Sequence, residues 1–107
     1  MKAHYTDYTC HMLRNYCRMI ADGHTVYSAA DILRTEAERK NWNACDEVWH
    51  EMNDTEREVT MALYVPPEED FKKSLAAYSR KNNVTKDYVW GICNKIVRMV
   101  ARKRGLI

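Results

Sequence analysis

Apolar residues recur at three- and four-residue steps along most of the chain, which is the spacing of amphipathic α-helices. The first repeat predicts a helix over about residues 5–21, and the second predicts a helix over about residues 28–41. We expect these two to form a helical hairpin. A third, short helix would carry the stripe Trp42, Cys45, Trp49 and Met52. That stripe fits either a core position or an exposed surface for a partner protein.

Three more helices are predicted downstream. Asn53 and Glu56 have the spacing of a capping box at the start of the fourth helix. The fifth helix spans about residues 70–82, and the sixth, which is long, begins after Thr85 and continues to Arg104. No run of alternating β-branched residues predicts a strand. The sequence therefore predicts an all-α fold of five to six helices.

The segment 82–85, called the corner below, should be a tight connection between the last two helices. Asn83 suits a left-handed turn residue, and Thr85 suits the N-cap of the helix that follows. Val84 before this cap and Val89 inside the helix have the spacing of a hydrophobic staple. The corner should therefore be rigid.

A helical wheel separates the last helix into two faces. The apolar face holds Val89, Ile92, Cys93, Ile96 and Val100, with Met99 at its edge. The opposite face holds Asp87, Gly91, Asn94, Lys95, Arg98 and Arg102. A glycine inside a helix costs about 1 kcal/mol relative to alanine. On a face turned away from the core, Gly91 would permit the close approach of another molecule.

Charge divides the chain unevenly. Residues 1–70 carry seven Lys/Arg and fourteen Asp/Glu, a net −7, whereas residues 71–107 carry ten Lys/Arg and one acid, Asp87, a net +9. This asymmetry predicts that the C-terminal third binds a polyanion. The alternative is a basic helix that is simply solvated.

The sequence has few features that indicate a metal site, catalysis or a membrane segment. The four cysteines lack metal-binding spacing, so we expect buried thiols and no metal. The four histidines are scattered, and no glycine-rich phosphate loop is present, so we expect neither catalysis nor a cofactor. No apolar run approaches the ~20 residues of a membrane span, and the N-terminus does not have the pattern of a signal peptide. We therefore expect a reduced, cytoplasmic protein without membrane contact.

The stretch 75–96 resembles a helix-turn-helix. Ser79 occupies the small position of the first helix, Asn83 the turn, and Val84, Val89 and Ile92 the apolar positions that follow. Asn83 departs from the usual glycine, and Asn82 stands where an apolar residue is usual. Upstream, "MNDTEREVTMALY" resembles the segment that opens the C-terminal DNA-binding region of sigma factors.

Together, residues 52–104 resemble the helices of that sigma-factor region, which reads the promoter −35 element. They are also similar to small sigma-like regulators of phages and prophages. The length and composition of the chain predict a single domain over 1–107, in which residues 1–52 form an acidic helical subregion. The resemblance implies a helix-turn-helix subregion over 53–107 and a last helix that enters the major groove of DNA.

Candidate contacts follow from that placement. The candidates for base contact are Thr85, Lys86, Asp87, Trp90, Gly91 and Asn94. The candidates for phosphate contact are Lys72, Lys73, Arg80, Lys81, Lys95, Arg98, Arg102, Lys103 and Arg104. Trp90 could equally be a core residue. Asp87 could accept from cytosine N4 or could favour the positive end of the helix dipole.

We therefore expect a DNA-binding transcriptional regulator encoded by a phage or prophage. Its acidic N-terminal helices would mediate homodimerisation or contact RNA polymerase. The alternative is a protein-binding inhibitor, similar to an anti-CRISPR protein, whose basic helix engages a host protein that handles nucleic acid.

Overall fold

The computed structural model describes residues 1–25 and 31–107, and over these ranges the chain is helical without strands. The helices are α1 (Ala3–Ala21), α2 (Glu36–Glu51), α3 (Asp54–Tyr64), α4 (Phe71–Asn82) and α5 (Lys86–Arg104), with a short 3₁₀ turn at Glu68–Asp70 between α3 and α4. The predicted all-α fold class is confirmed.

The start of α2 differs from the prediction. Residues 33–35 lie outside any helix, and a single helix then runs from Glu36 to Glu51, through the predicted boundary at residues 41–42. A capping box sets this start, because the Thr35 side chain accepts from the backbone N–H of Glu38, whose carboxylate accepts from the N–H of Thr35. The predicted helix over 28–41 is therefore wrong at residues 33–35. Its first residues lie outside the described ranges, as does part of the predicted hairpin.

Among the described residues, helix α5 lies at the centre of the fold and packs against α1, α2, α3 and α4. Its residues Val89, Ile96 and Val100 are fully buried. They share one core with Leu13 of α1 and Leu63 of α3, among others. Burying an aliphatic side chain of this size stabilises a fold by about 1.5–3 kcal/mol. The acidic and basic parts of the sequence are thus joined by a common core.

The buried face of α5 is wider than predicted. The predicted inner residues Val89, Cys93, Ile96 and Val100 are buried, and Ile92 and Met99 are half-buried. Val97 and Ala101 are buried as well, although the wheel did not assign them to the core. A helix that is surrounded by four others buries more than one stripe, and this explains the difference.

The corner has the predicted geometry. Asn83 is left-handed, with φ 53° and ψ 45°, and the N–H of Val84 donates to the Ser79 carbonyl over 3.1 Å. Thr85 caps α5, because its hydroxyl accepts from the N–H of Tyr88 over 3.1 Å. The Ser79 hydroxyl also donates to the Val84 carbonyl and closes the connection from the other side. The direction in which α5 leaves α4 is therefore fixed by local hydrogen bonds.

The left-handed backbone of Asn83 makes that position sensitive to side-chain shape. We expect Asn83→Val to lower the free energy of unfolding by about 1–2 kcal/mol, because a β-branched residue is strained there. Asn83→Gly should leave stability unchanged or raise it slightly, since glycine adopts this conformation freely. Urea denaturation of the three proteins measures the difference. Equal midpoints for Asn83→Val and the wild type would contradict the left-handed turn.

Candidate nucleic-acid interface

The N-terminal half of α5 presents the predicted base-contact residues to solvent. Thr85, Lys86, Asp87, Gly91 and Asn94 are all exposed. A Cβ atom built on Gly91 would meet no atom within 4 Å, so open space lies in front of this glycine. The wheel had placed Gly91 away from the core, and the structure confirms that placement.

Trp90 is partly packed and partly open. Its ring lies 5.5 Å from the ring of Phe71 in α4, measured between centroids, and 41% of the residue is exposed. Phe71 in turn lies 5.7 Å from Tyr64 in α3. Trp90 therefore ends a row of three aromatic rings that crosses three helices. One part of the indole is held by packing while the rest can meet a ligand.

Six of the predicted phosphate-contact residues are exposed cations. No ion pair involves them within the part of the chain that the structure describes. They are Lys72, Lys73, Arg80 and Lys81 on α4 and Arg98 and Arg102 on α5. These side chains leave their charges available to an anionic partner.

The other three predicted phosphate contacts bind within the chain. Lys95 Nζ lies 2.6 Å from Glu56 Oε2, and Lys103 Nζ lies 3.0 Å from Glu51 Oε1. Arg104 Nε donates to Asn41 Oδ1 over 2.6 Å. Lys103 and Arg104 are engaged because the C-terminal half of α5 packs along the acidic helix α2. These pairs join residues far apart in the chain, so the sequence pattern did not predict them.

Glu56 has the most constrained carboxylate among these pairs. The residue is 6% exposed and completes the predicted capping box, since Oε1 accepts from the N–H of Asn53 over 3.0 Å. The hydrogen bond from Lys95 lowers the pKa of Glu56, and the Asn53 N–H lowers it further. Lys95 thus connects the start of α3 to the middle of α5.

One edge of the candidate interface is acidic. The carboxylates of Asp7, Glu68 and Glu69, called the acidic rim below, line the same cavity as Trp90 and Asn94. A phosphate backbone would be repelled by this edge. Lys72, one of the six exposed cations, lines the same cavity, so positive and negative side chains meet at this edge. This arrangement could not be predicted from sequence, because Asp7 belongs to α1 and is far from Trp90 and Asn94 along the chain.

The cysteines are free, and Cys17, Cys45 and Cys93 are buried. Burial raises the pKa of the Cys17 and Cys93 thiols to about 12, so both are protonated at neutral pH. No group of three potential metal ligands occurs within residues 1–25 and 31–107. In those same ranges, no helix is long and apolar enough to cross a membrane.

Comparison with protein-family models, with curated proteins and with solved structures found no match. The resemblance of residues 52–104 to the sigma-factor DNA-binding region therefore stays a sequence-based hypothesis.

The Lys95–Glu56 pair leads to a prediction about acid stability. A lowered pKa means that Glu56 contributes stability above the ordinary carboxyl pKa of about 4.3 and loses it as the pH falls through the lowered value. Lys95→Met should raise the pKa of Glu56 and cost about 1 kcal/mol of unfolding free energy at pH 7. The difference should shrink as the pH falls through the lowered pKa of Glu56, because protonation removes the carboxylate that Lys95 stabilises. Urea denaturation at a series of pH values from 7 downward measures it.

Lys103→Met is the matched control for this experiment. Lys103 is a cation of the same helix, and its carboxylate partners Glu47 and Glu51 are far more exposed than Glu56. Its removal should change stability less, because water screens exposed pairs. If both variants lost the same unfolding free energy at pH 7, the buried Glu56 carboxylate would not strengthen its ion pair as we expect.

Proposed function

We propose that this protein binds double-stranded DNA and regulates transcription, with the N-terminal half of α5 in the major groove. The corner is the observation that carries this proposal. Left-handed Asn83 ends α4, and the Thr85 cap starts α5 two residues later, so the two helices are joined by the tight turn that a helix-turn-helix requires. The exposed first turns of α5 then offer polar side chains around the open space at Gly91.

The side chains suit distinct contacts with DNA. The Asn94 amide can pair with the N6 and N7 edge of adenine, and Lys86 can donate to O6 and N7 of guanine. The six exposed cations on α4 and α5 suit phosphates, which position a protein without reading sequence. Asp87 lies in the first turn of α5, where a carboxylate is stabilised by the helix dipole.

The proposed regulator is encoded by a phage or prophage and works in the cytoplasm. Its acidic N-terminal helices supply contacts to a second copy or to RNA polymerase. This part of the proposal rests on charge: several carboxylates on α2 and α3 are exposed, among them Glu36 and Asp54. Most of these carboxylates also have a cation of the chain nearby: Lys40 beside Glu36, Arg57 beside Asp54, and Lys103 beside Glu47 and Glu51.

The acidic rim favours a second candidate function, the protein-binding inhibitor. Acidic side chains beside a half-exposed Trp90 are unusual next to a DNA-reading surface, and they suit a partner that carries basic and apolar groups. In that case α5 would dock on a host protein that handles nucleic acid. The two candidates differ in how binding responds to salt and to DNA sequence.

Salt dependence tests the attraction to DNA. If five to eight cations contact phosphates, log affinity for duplex DNA should fall against log salt with a slope of roughly −4.5 to −7, at about −0.9 per phosphate. Arg98→Ala should reduce that slope by about one unit on every sequence. Lys103→Ala is the control and should leave the slope unchanged, because Lys103 is already paired with Glu51. Fluorescence anisotropy at several salt concentrations measures the slope, and a value near zero would contradict DNA binding.

Sequence reading is tested through Asn94. A preferred site is first selected from random duplexes with the wild-type protein. Asn94→Ala should then weaken binding to that site by about 1–3 kcal/mol and change binding to random DNA little, because a base contact is lost but no phosphate contact. Both proteins should melt alike, since the side chain is exposed. Equal losses of affinity on the selected site and on random DNA would show that Asn94 does not contact a base. Failure to select any site would favour the protein-binding candidate.

A further inference from the structure

Arg14 carries a buried positive charge for which the described chain supplies no counter-ion. The residue lies on the inner face of α1 and is 5% exposed. Neither Nε nor Nη1 has a hydrogen-bond partner in the described ranges, and no carboxylate there forms an ion pair with this guanidinium. The guanidinium lies over the face of the Tyr64 ring, with Cζ 5.7 Å from the ring centroid. A cation–π contact of this kind attracts the charge but satisfies no N–H group.

A buried guanidinium without an anion is costly, and here the N–H groups of Nε and Nη1 have left water without gaining a partner in the described ranges. Arg18, one turn further along α1, shows the ordinary arrangement. It is exposed, and its Nε donates to the Val65 carbonyl over 3.1 Å. The position of Arg18 on α1 does not force its side chain into the interior, so the burial of Arg14 calls for a specific explanation.

A cavity of about 390 Å³ adjoins Arg14. It lies where α1, α3, α4 and α5 meet, and this volume is within the range of small-molecule sites. Its inner wall is mainly apolar and aromatic, formed by Cys10, Tyr64, Phe71, Trp90, Cys93 and Val97. Burial raises the pKa of both thiols, so neither supplies a negative charge to Arg14 at neutral pH.

The acidic rim narrows the choice of anion. Asp7, Glu68 and Glu69 lie at the cavity on exposed positions, and Lys72 is one cation among them. A ligand with several negative charges, such as a nucleotide or a sugar phosphate, would be repelled by these carboxylates. A ligand with a single anionic group and a neutral or cationic remainder would be repelled less.

We propose that this cavity binds a small aromatic monocarboxylate. Its carboxylate accepts hydrogen bonds from the Arg14 guanidinium, and its ring packs against Phe71 and Trp90. The proposal does not depend on DNA binding, because Arg14 and the aromatic wall are present whatever α5 contacts.

Phenylacetate and its neutral analogue phenylacetamide test the proposal on the wild-type protein. The two differ chiefly in charge, so a site built around Arg14 should prefer phenylacetate by about tenfold or more in Kd, and a fragment of this size should bind in the millimolar range or tighter. Phenylmalonate, which adds a second carboxylate, should bind more weakly than phenylacetate. Isothermal titration calorimetry measures all three. Absent binding of phenylacetate, or equal affinity for the amide, would overturn the proposal.

Arg14→Met keeps a side chain of similar length and removes the charge. We expect it to lose the preference for phenylacetate over phenylacetamide while melting at the wild-type temperature or above, because an unpaired buried charge has been replaced by an apolar group. Arg18→Met is the matched control and should bind both probes as the wild type does. If Arg14→Met does not fold, Arg14→Lys takes its place: it keeps a positive charge but lacks the planar fork, so its preference should fall. An unchanged preference in the variant that folds would overturn the proposal.

Tryptophan emission locates the bound ring. Trp90 lines the cavity, whereas Trp42 and Trp49 lie on α2 against Tyr16. Phenylacetate should therefore change the emission of the wild type and leave that of Trp90→Phe unchanged, while calorimetry still detects binding to the variant. An emission change that persists in Trp90→Phe would place the ligand elsewhere and contradict the site.

Discussion

The burial of α5 is the constraint on which the rest of the structure depends. Every other described helix packs against this one, and its residues Val89, Ile96 and Val100 are fully buried. A helix of 19 residues that is enclosed on its inner side can expose only its outer side and its ends. The same element therefore holds the core and presents the candidate interface. Its position also creates the cavity beside Arg14, because four helices meet there without closing completely.

Charge in this fold is arranged by packing as much as by sequence. The chain is acidic before residue 71 and basic after it, and the core brings the two parts together. Lys95 forms an ion pair with a carboxylate on α3, and Lys103 forms one with a carboxylate on α2. Six cations on α4 and the outer side of α5 form no ion pair within the described residues. The acidic rim then limits the basic surface on the side of α1 and the 3₁₀ turn. The positive charge that a partner can reach is therefore smaller than the sequence asymmetry predicts, and it is confined to α4 and the outer side of α5.

Local signals predicted much of this structure. The Asn83 turn, the Thr85 cap and the Asn53 capping box were found from sequence, because each depends on residues within a few positions. The Thr35–Glu38 box is equally local and could have been recognised from "TEAE". Contacts between distant elements could not be predicted. The buried Arg14, the Lys95–Glu56 pair and the acidic rim depend on how the helices pack, and a wheel drawn for one helix does not contain that information.

The central position of α5 has a consequence for the order of events during synthesis. Ribosomes make this helix after the other four described helices, so the earlier helices emerge before the helix that completes their shared core. Leu13, Val48 and Leu63 cannot complete their core until residues 86–104 have left the exit tunnel. The chain must therefore fold late, and its nascent form presents apolar surface to chaperones and to other chains. Slow emergence of the last helix would lengthen that exposure.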